Sequence, residues 1–117
     1  LPDPIDIRGL WEGAFQYTSS ADAGDFPFKA KIIQMDGAIS GLIMEDNVAH
    51  GGTVKAEIEG TLSGQTVRFT KTYLHASEQY RNAVEYSGMI NAEGTEISGT
   101  WKLPHDGGTF VMARKPL

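Results

Sequence analysis

The sequence predicts an all-β fold: an eight-stranded antiparallel up-and-down β-barrel, one domain over residues 1–117. Three observations predict it. Apolar and polar residues alternate with period two along most of the chain, while helical periodicity is weak. Turn signals cut the chain into eight such segments, joined alternately by tight and by roomier connections. Glycines recur at inward positions, namely Gly13, Gly41, Gly60, Gly88 and Gly99, where a small barrel must coil its strands sharply.

Taken in order, strands are expected over Gly9–Tyr17, Phe26–Met35, 38–45, 53–62, 65–74, 83–91, Glu96–Leu103 and 109–115. The fifth is the clearest, with Val67, Phe69, Lys71 and Tyr73 alternating with Arg68, Thr70 and Thr72. One set faces a core and the other faces water. The phrase Ile39-Ser40-Gly41 returns as Ile58-Glu59-Gly60 and Ile97-Ser98-Gly99. Such glycines would mark bulges in a two-sheet sandwich, or bends in a barrel. Closure favours the barrel because it removes exposed strand edges.

Tight connections at Asp36-Gly37, Ser63-Gly64 and Asn91-Ala92-Glu93-Gly94 fall at one end of such a meander. The roomier ones, residues 18–26, 46–53, 75–82 and 104–108, fall at the other. The shape implied is a cup with a closed base and a mouth. Ahead of the first strand, Pro2, Asp3, Pro4 and Asp6 surround Ile5 and Ile7. A short 3₁₀ turn there would lay both isoleucines across the base.

Composition bounds the partners. Hydrophobic residues make up 40% and charged residues 21% of the chain, ordinary values for a globular domain. A net charge of −5 argues against nucleic acid, which wants a basic face. There is no apolar run long enough for a membrane helix and no signal-peptide pattern, so membrane insertion is not expected. Cysteine is absent, which rules out disulfides and thiolate metal sites and favours a cytoplasmic setting.

Gly9 and Trp11 open the first strand, and Arg114 closes the last. In a closed meander these strands are neighbours, and Trp11 would meet Arg114 at the base in a cation–π contact. In this the chain resembles the calycin superfamily of lipocalins, fatty-acid-binding proteins and avidin-like barrels, which share a Gly-x-Trp packed against an arginine of the last strand. The segments Phe69-Thr70-Lys71-Thr72-Tyr73, Tyr86-Ser87-Gly88, Ile97-Ser98-Gly99-Thr100-Trp101 and Gly108-Thr109-Phe110-Val111-Met112-Ala113-Arg114 look like those of small bacterial barrels of this type. The resemblance implies barrel closure by Gly9, Trp11 and Arg114 and carries no activity. With only Trp11 and Trp101 present, the tryptophan-rich biotin site of avidin-like proteins is not expected.

Strand direction sets heights. Near the mouth the inward face should carry Phe15, Tyr17, Phe26, Phe28, Ile43, Glu45 and Val54, and then Lys71, Tyr73, Val84, Tyr86, Trp101, Leu103, Phe110 and Met112. Ile32, Ile39, Ile58, Leu62, Val67, Ile90 and Ile97 should fill the base. Apolar walls with a few polar groups suit a small-molecule pocket. The expected ligand-facing set is Tyr17, Phe28, Lys71, Tyr73, Tyr86, Trp101 and Met112. An inward ammonium needs a partner. For Lys71 the alternatives are Glu45, a tyrosine hydroxyl, escape to solvent, or the anionic or carbonyl group of a ligand.

Two rival readings accompany this lipophilic- or anionic-ligand container. An eight-stranded barrel is narrow enough to be filled by its own side chains, which would leave a structural or interaction module. An enzyme would need Lys71 as a Schiff-base or general-base residue, and no nucleophile–base pair or paired carboxylates accompany it. His50, His75 and His105, with Asp22, Asp25, Asp46, Glu78 and Asp106, show no metal-ligand spacing, so neither metal nor cofactor is expected. Gly51-Gly52 and Gly107-Gly108 read as turn glycines. Outward-facing Leu10, Ile33, Met35, Leu42 and Met44 on the first three strands suggest a homodimer interface.

Overall fold

A computed structural model describes residues 5–18, 24–47, 52–74 and 83–115. Among the described residues, eight strands form one closed barrel: β1 (Gly9–Tyr17), β2 (Phe26–Met35), β3 (Ala38–Asn47), β4 (Gly52–Ser63), β5 (Thr66–Tyr73), β6 (Val84–Ile90), β7 (Glu96–Leu103) and β8 (Asp106–Arg114). Each pairs antiparallel with the next, and β8 returns to β1. The sandwich alternative is therefore excluded. Alternation translates directly into burial: on β6, Val84, Tyr86, Gly88 and Ile90 face inward while Glu85, Ser87 and Met89 face outward.

The inward glycines permit the coiling. A Cβ at Gly60 would lie 1.9 Å from the Arg68 carbonyl oxygen, and one at Gly99 would lie 2.1 Å from that of Ser87. No side chain fits at either position without pushing neighbouring strands apart. Closure of so small a barrel depends on such close backbone approach.

Several strand boundaries differ from expectation by one to three residues, three of them for a clear local reason. The connection after β7 is not roomy, because Leu103 pairs with Asp106 and only Pro104 and His105 turn. Gly107 and Gly108 belong to the ladder, opposite Lys102 and Trp101. A Cβ at Gly108 would sit 2.7 Å from the Trp101 ring, so this glycine makes room for an indole. The turn between β4 and β5 is Gly64-Gln65, with Gly64 at φ 59°, so β5 starts at Thr66. Asn91 leaves β6 because its side chain organises the turn, where Oδ1 accepts from the Thr95 and Glu96 amides at 2.8 and 3.0 Å.

The base is sealed by the segment ahead of β1. Residues 5–8 are not helical, and residues 1–4 lie outside the described residues. The backbone of this segment is held by side chains instead of by itself. Gln34 Oε1 accepts from the Ile7 amide at 2.8 Å, and Gln34 Nε2 donates to the Ile5 carbonyl at 3.0 Å. Trp11 Nε1 donates to the Ile7 carbonyl at 3.0 Å. Arg114 donates to the carbonyls of Arg8 (2.8 Å), Gly94 (3.2 Å) and Asp6. Its guanidinium also lies over the Trp11 ring at 5.1 Å. Ile7 and Trp11 are fully buried as a result. Gly9, at φ 129°, lets the chain swing from this plug into β1.

On the outside, Leu10, Ile33, Met35, Leu42 and Met44 are all exposed. The register does not join them into one apolar stripe. Lys31 stands between Leu10 and Leu42, and Met44 is flanked by Lys29 and Lys55.

Candidate functional site

The upper half of the barrel carries a buried polar cluster. Glu45, on β3, and Lys71, on β5, point inward from opposite sides of β4, and Lys71 Nζ lies 2.5 Å from Glu45 Oε2. The Tyr73 hydroxyl donates to the same carboxylate, 2.9 Å from Oε1 and 3.0 Å from Oε2. Among the alternatives open for Lys71, the structure selects Glu45. Escape to solvent does not occur, since the side chain is only 2% exposed.

Aromatic rings complete the surroundings of the ammonium. Lys71 Nζ stands 4.7 Å from the Tyr73 ring centroid, 5.0 Å from that of Phe15 and 5.2 Å from that of Tyr86. Such distances suit cation–π attraction, which strengthens when the cation is desolvated. Phe15 belongs to β1, diametrically opposite β5 in the ring of strands. Lys71 thus reaches across the barrel, and at this height the interior is bridged by side chains. One layer down, Phe69 stacks on Tyr86 at 4.7 Å and meets Phe110 edge-on at 6.3 Å.

Burial governs the titration of the cluster. Desolvation lowers the Lys71 pKa, and the adjacent Glu45 carboxylate opposes it. Burial, followed by proximity to Glu45, raises the Tyr73 hydroxyl well above the usual phenol range, and Tyr86 shifts the same way. Both tyrosines therefore remain neutral donors at any physiological pH.

The Tyr86 hydroxyl differs from that of Tyr73, because it makes no hydrogen bond to any of the described residues. Among those residues no buried side-chain oxygen or nitrogen is both sealed and unpaired. The Tyr86 oxygen therefore keeps some accessible surface, although the residue as a whole is 3% exposed.

The expected ligand-facing residues fall into three groups. Lys71, Tyr73 and Tyr86 come together around Glu45. Tyr17 and Trp101 form a second cluster at the mouth, edge-to-face at 4.9 Å, where Phe26 joins Tyr17 at 5.4 Å. Phe26 itself is 36% exposed and forms part of the rim. Phe28 is buried one layer below, 6.5 Å from Phe15. Met112 lies below the polar cluster: it pairs with Ile97 and Gly13, low in the barrel, and meets Phe28 over Gly13. Strand direction alone sets it too high, because β8 begins at Asp106 and not at Thr109 as the alternation indicates.

Glu45 is the key residue outside the expected ligand-facing set. Its signal is its inward parity on β3, in the strand next but one to Lys71. Among the described residues, no three His, Asp or Glu side chains converge on a potential metal position. His50, His75, Asp22 and Glu78 lie outside the described residues.

A redesigned β-barrel has a similar structure, with a TM-score of 0.75 and 11% identity, covering 94% of this chain and 92% of that one. A point mutant of the fluorescent protein UnaG is also similar, with a TM-score of 0.53 and 13% identity, covering 94% of this chain and 96% of that one. At these identities the likeness concerns the fold alone. No protein-family model matches the sequence. No curated protein sequence matches it.

Proposed function

We propose that this protein is a calycin-like barrel that binds a small, partly apolar ligand at its open end. The observation that carries the reading is the buried Glu45–Lys71 pair, joined by half-buried Tyr73, beside the Tyr86 hydroxyl, which has no partner among the described residues. Burying an ion pair commonly costs several kcal/mol per ion, on the order of what its mutual attraction returns, so hydrophobic residues would serve a mere core at least as well. A polar cluster set among aromatic walls is the usual make-up of a small-molecule site. Tyr17, Phe26 and Trp101 would form the apolar approach to it.

Titration with small aromatic compounds, followed by Trp101 fluorescence, tests the reading. Saturable quenching is expected, with altered affinity in Lys71→Ala. Trp11, sealed at the base, contributes a constant background. Equal and negligible quenching in both proteins would count against a container.

One specific observation favours a second reading, a side-chain-filled barrel acting through its outer surface. Phe15 meets Lys71, and Phe69 meets Phe110, across the interior. Eight-stranded barrels fall on the border between these two cases. Under this reading the exposed residues of β1–β3 become the working surface, with self-association as its first consequence.

A further inference from the structure

From the way its polar groups are already paired, we infer that the upper barrel selects uncharged ligands carrying a carbonyl acceptor, in preference to lipophilic acids or organic cations. This inference rests on the ligand-binding reading and specifies the ligand class.

Lys71 is the one inward cation among the described residues, and Glu45 already neutralises it at 2.5 Å. Tyr73 commits its hydroxyl hydrogen to the same carboxylate. An incoming carboxylate would have to take Lys71 away from Glu45. That would leave two carboxylates sharing one ammonium in a desolvated space, where like charges repel strongly. The chain's net charge of −5 adds to the penalty. An incoming ammonium meets the reverse difficulty, since the aromatic cage of Phe15, Tyr73 and Tyr86 is occupied by Lys71 itself.

One polar group of the cluster remains uncommitted. The Tyr86 hydroxyl has no partner among the described residues, keeps accessible surface, and stays protonated because burial and the nearby Glu45 raise its pKa. It can therefore donate to a ligand carbonyl without disturbing the ion pair. A site with a buried donor also rejects analogues that lack the matching acceptor, because binding them leaves the donor unpaired.

The test compares four matched compounds by ¹H–¹⁵N chemical-shift titration of the whole chain: acetophenone, benzoate, benzylammonium and ethylbenzene. Acetophenone is expected to bind at least tenfold more tightly than the other three, with shifts centred on Tyr86 and the Trp101 indole. Tyr86→Phe is expected to bring acetophenone down to the level of ethylbenzene. In Glu45→Gln, which leaves Lys71 without its counter-charge, benzoate is expected to overtake acetophenone. Benzoate or benzylammonium binding the wild type as tightly as acetophenone overturns the inference while leaving a ligand site in place. Unchanged acetophenone affinity in Tyr86→Phe, with folding verified by its spectrum, overturns it as well. If none of the four binds, the ligand-binding reading itself fails.

Discussion

Lys71 and Glu45 form an ion pair 2.5 Å long inside the barrel, with side chains 2% and 11% exposed. Two strands that do not touch, β3 and β5, are tied together across β4 by this contact. Its energetics differ from those of the surface pairs Arg8–Asp6 and Lys115–Glu12, whose side chains are about half exposed or more and which contribute little.

Removing one partner should therefore cost far more than removing both. Lys71→Met leaves Glu45 charged and desolvated, and a loss of about 3 kcal/mol or more is expected. The double variant Glu45→Leu/Lys71→Met should recover most of it or exceed wild-type stability. Urea unfolding midpoints of the three proteins at pH 7 measure the difference.

Alkaline pH should unfold the protein through its tyrosines. Tyr73 and Tyr86 titrate higher in the folded chain than their ordinary value of 10.0, through burial first. Folding thus holds their protons more tightly, and this contribution is complete below pH 10. Above pH 10 the unfolded state gains by ionising, and stability falls as pH rises toward the folded values. Tyr86→Phe should flatten that fall, which urea midpoints between pH 9 and 11.5 would show. An unchanged slope would mean that Tyr86 is not desolvated.

Arg114 should resist replacement by lysine. Its planar fork donates to the carbonyls of Arg8, Gly94 and Asp6 while stacking on Trp11. A lysine cannot reproduce that geometry. Arg114→Lys is expected to lose about 1.5–3 kcal/mol in chemical unfolding, on the scale of a charged hydrogen-bond donor.

Gly60→Ala should be among the most damaging small substitutions, because the added Cβ would lie 1.9 Å from a neighbouring carbonyl oxygen. An overpacking cost of about 3 kcal/mol or more is expected. Thr61→Ala, one residue on and facing outward, should stay within about 0.5 kcal/mol. Thermal unfolding of the pair separates backbone crowding from general sensitivity of β4.

Much of the barrel was legible because its code is short-range. Period-two alternation placed β1, β2 and β7 to the residue, and inward parity placed Glu45, Lys71 and Tyr86 on the interior face. Trp11 and Arg114, from opposite ends of the chain, meet as the family resemblance implied. What escaped was set by side chains acting at a distance. Trp101 lies over Gly108, which turned two apparent turn glycines into strand and shortened the mouth at Pro104-His105. Gln34 and Arg114 anchor residues 5–8 in a non-helical course, while the rest of the turn suggested around Pro2 and Pro4 lies outside the described residues. Glu45 stood among the partners that the sequence offered Lys71, and the structure selects it; alternation alone could not choose, because the choice depends on two strands separated by a third.

The most direct measurement is the Trp101 quenching titration with acetophenone, using Trp11→Phe as background and Tyr86→Phe as comparison. Saturable quenching that weakens at least tenfold in Tyr86→Phe is the expected result. Quenching that rises linearly without saturation, and equally in both proteins, would contradict a ligand site in the upper barrel.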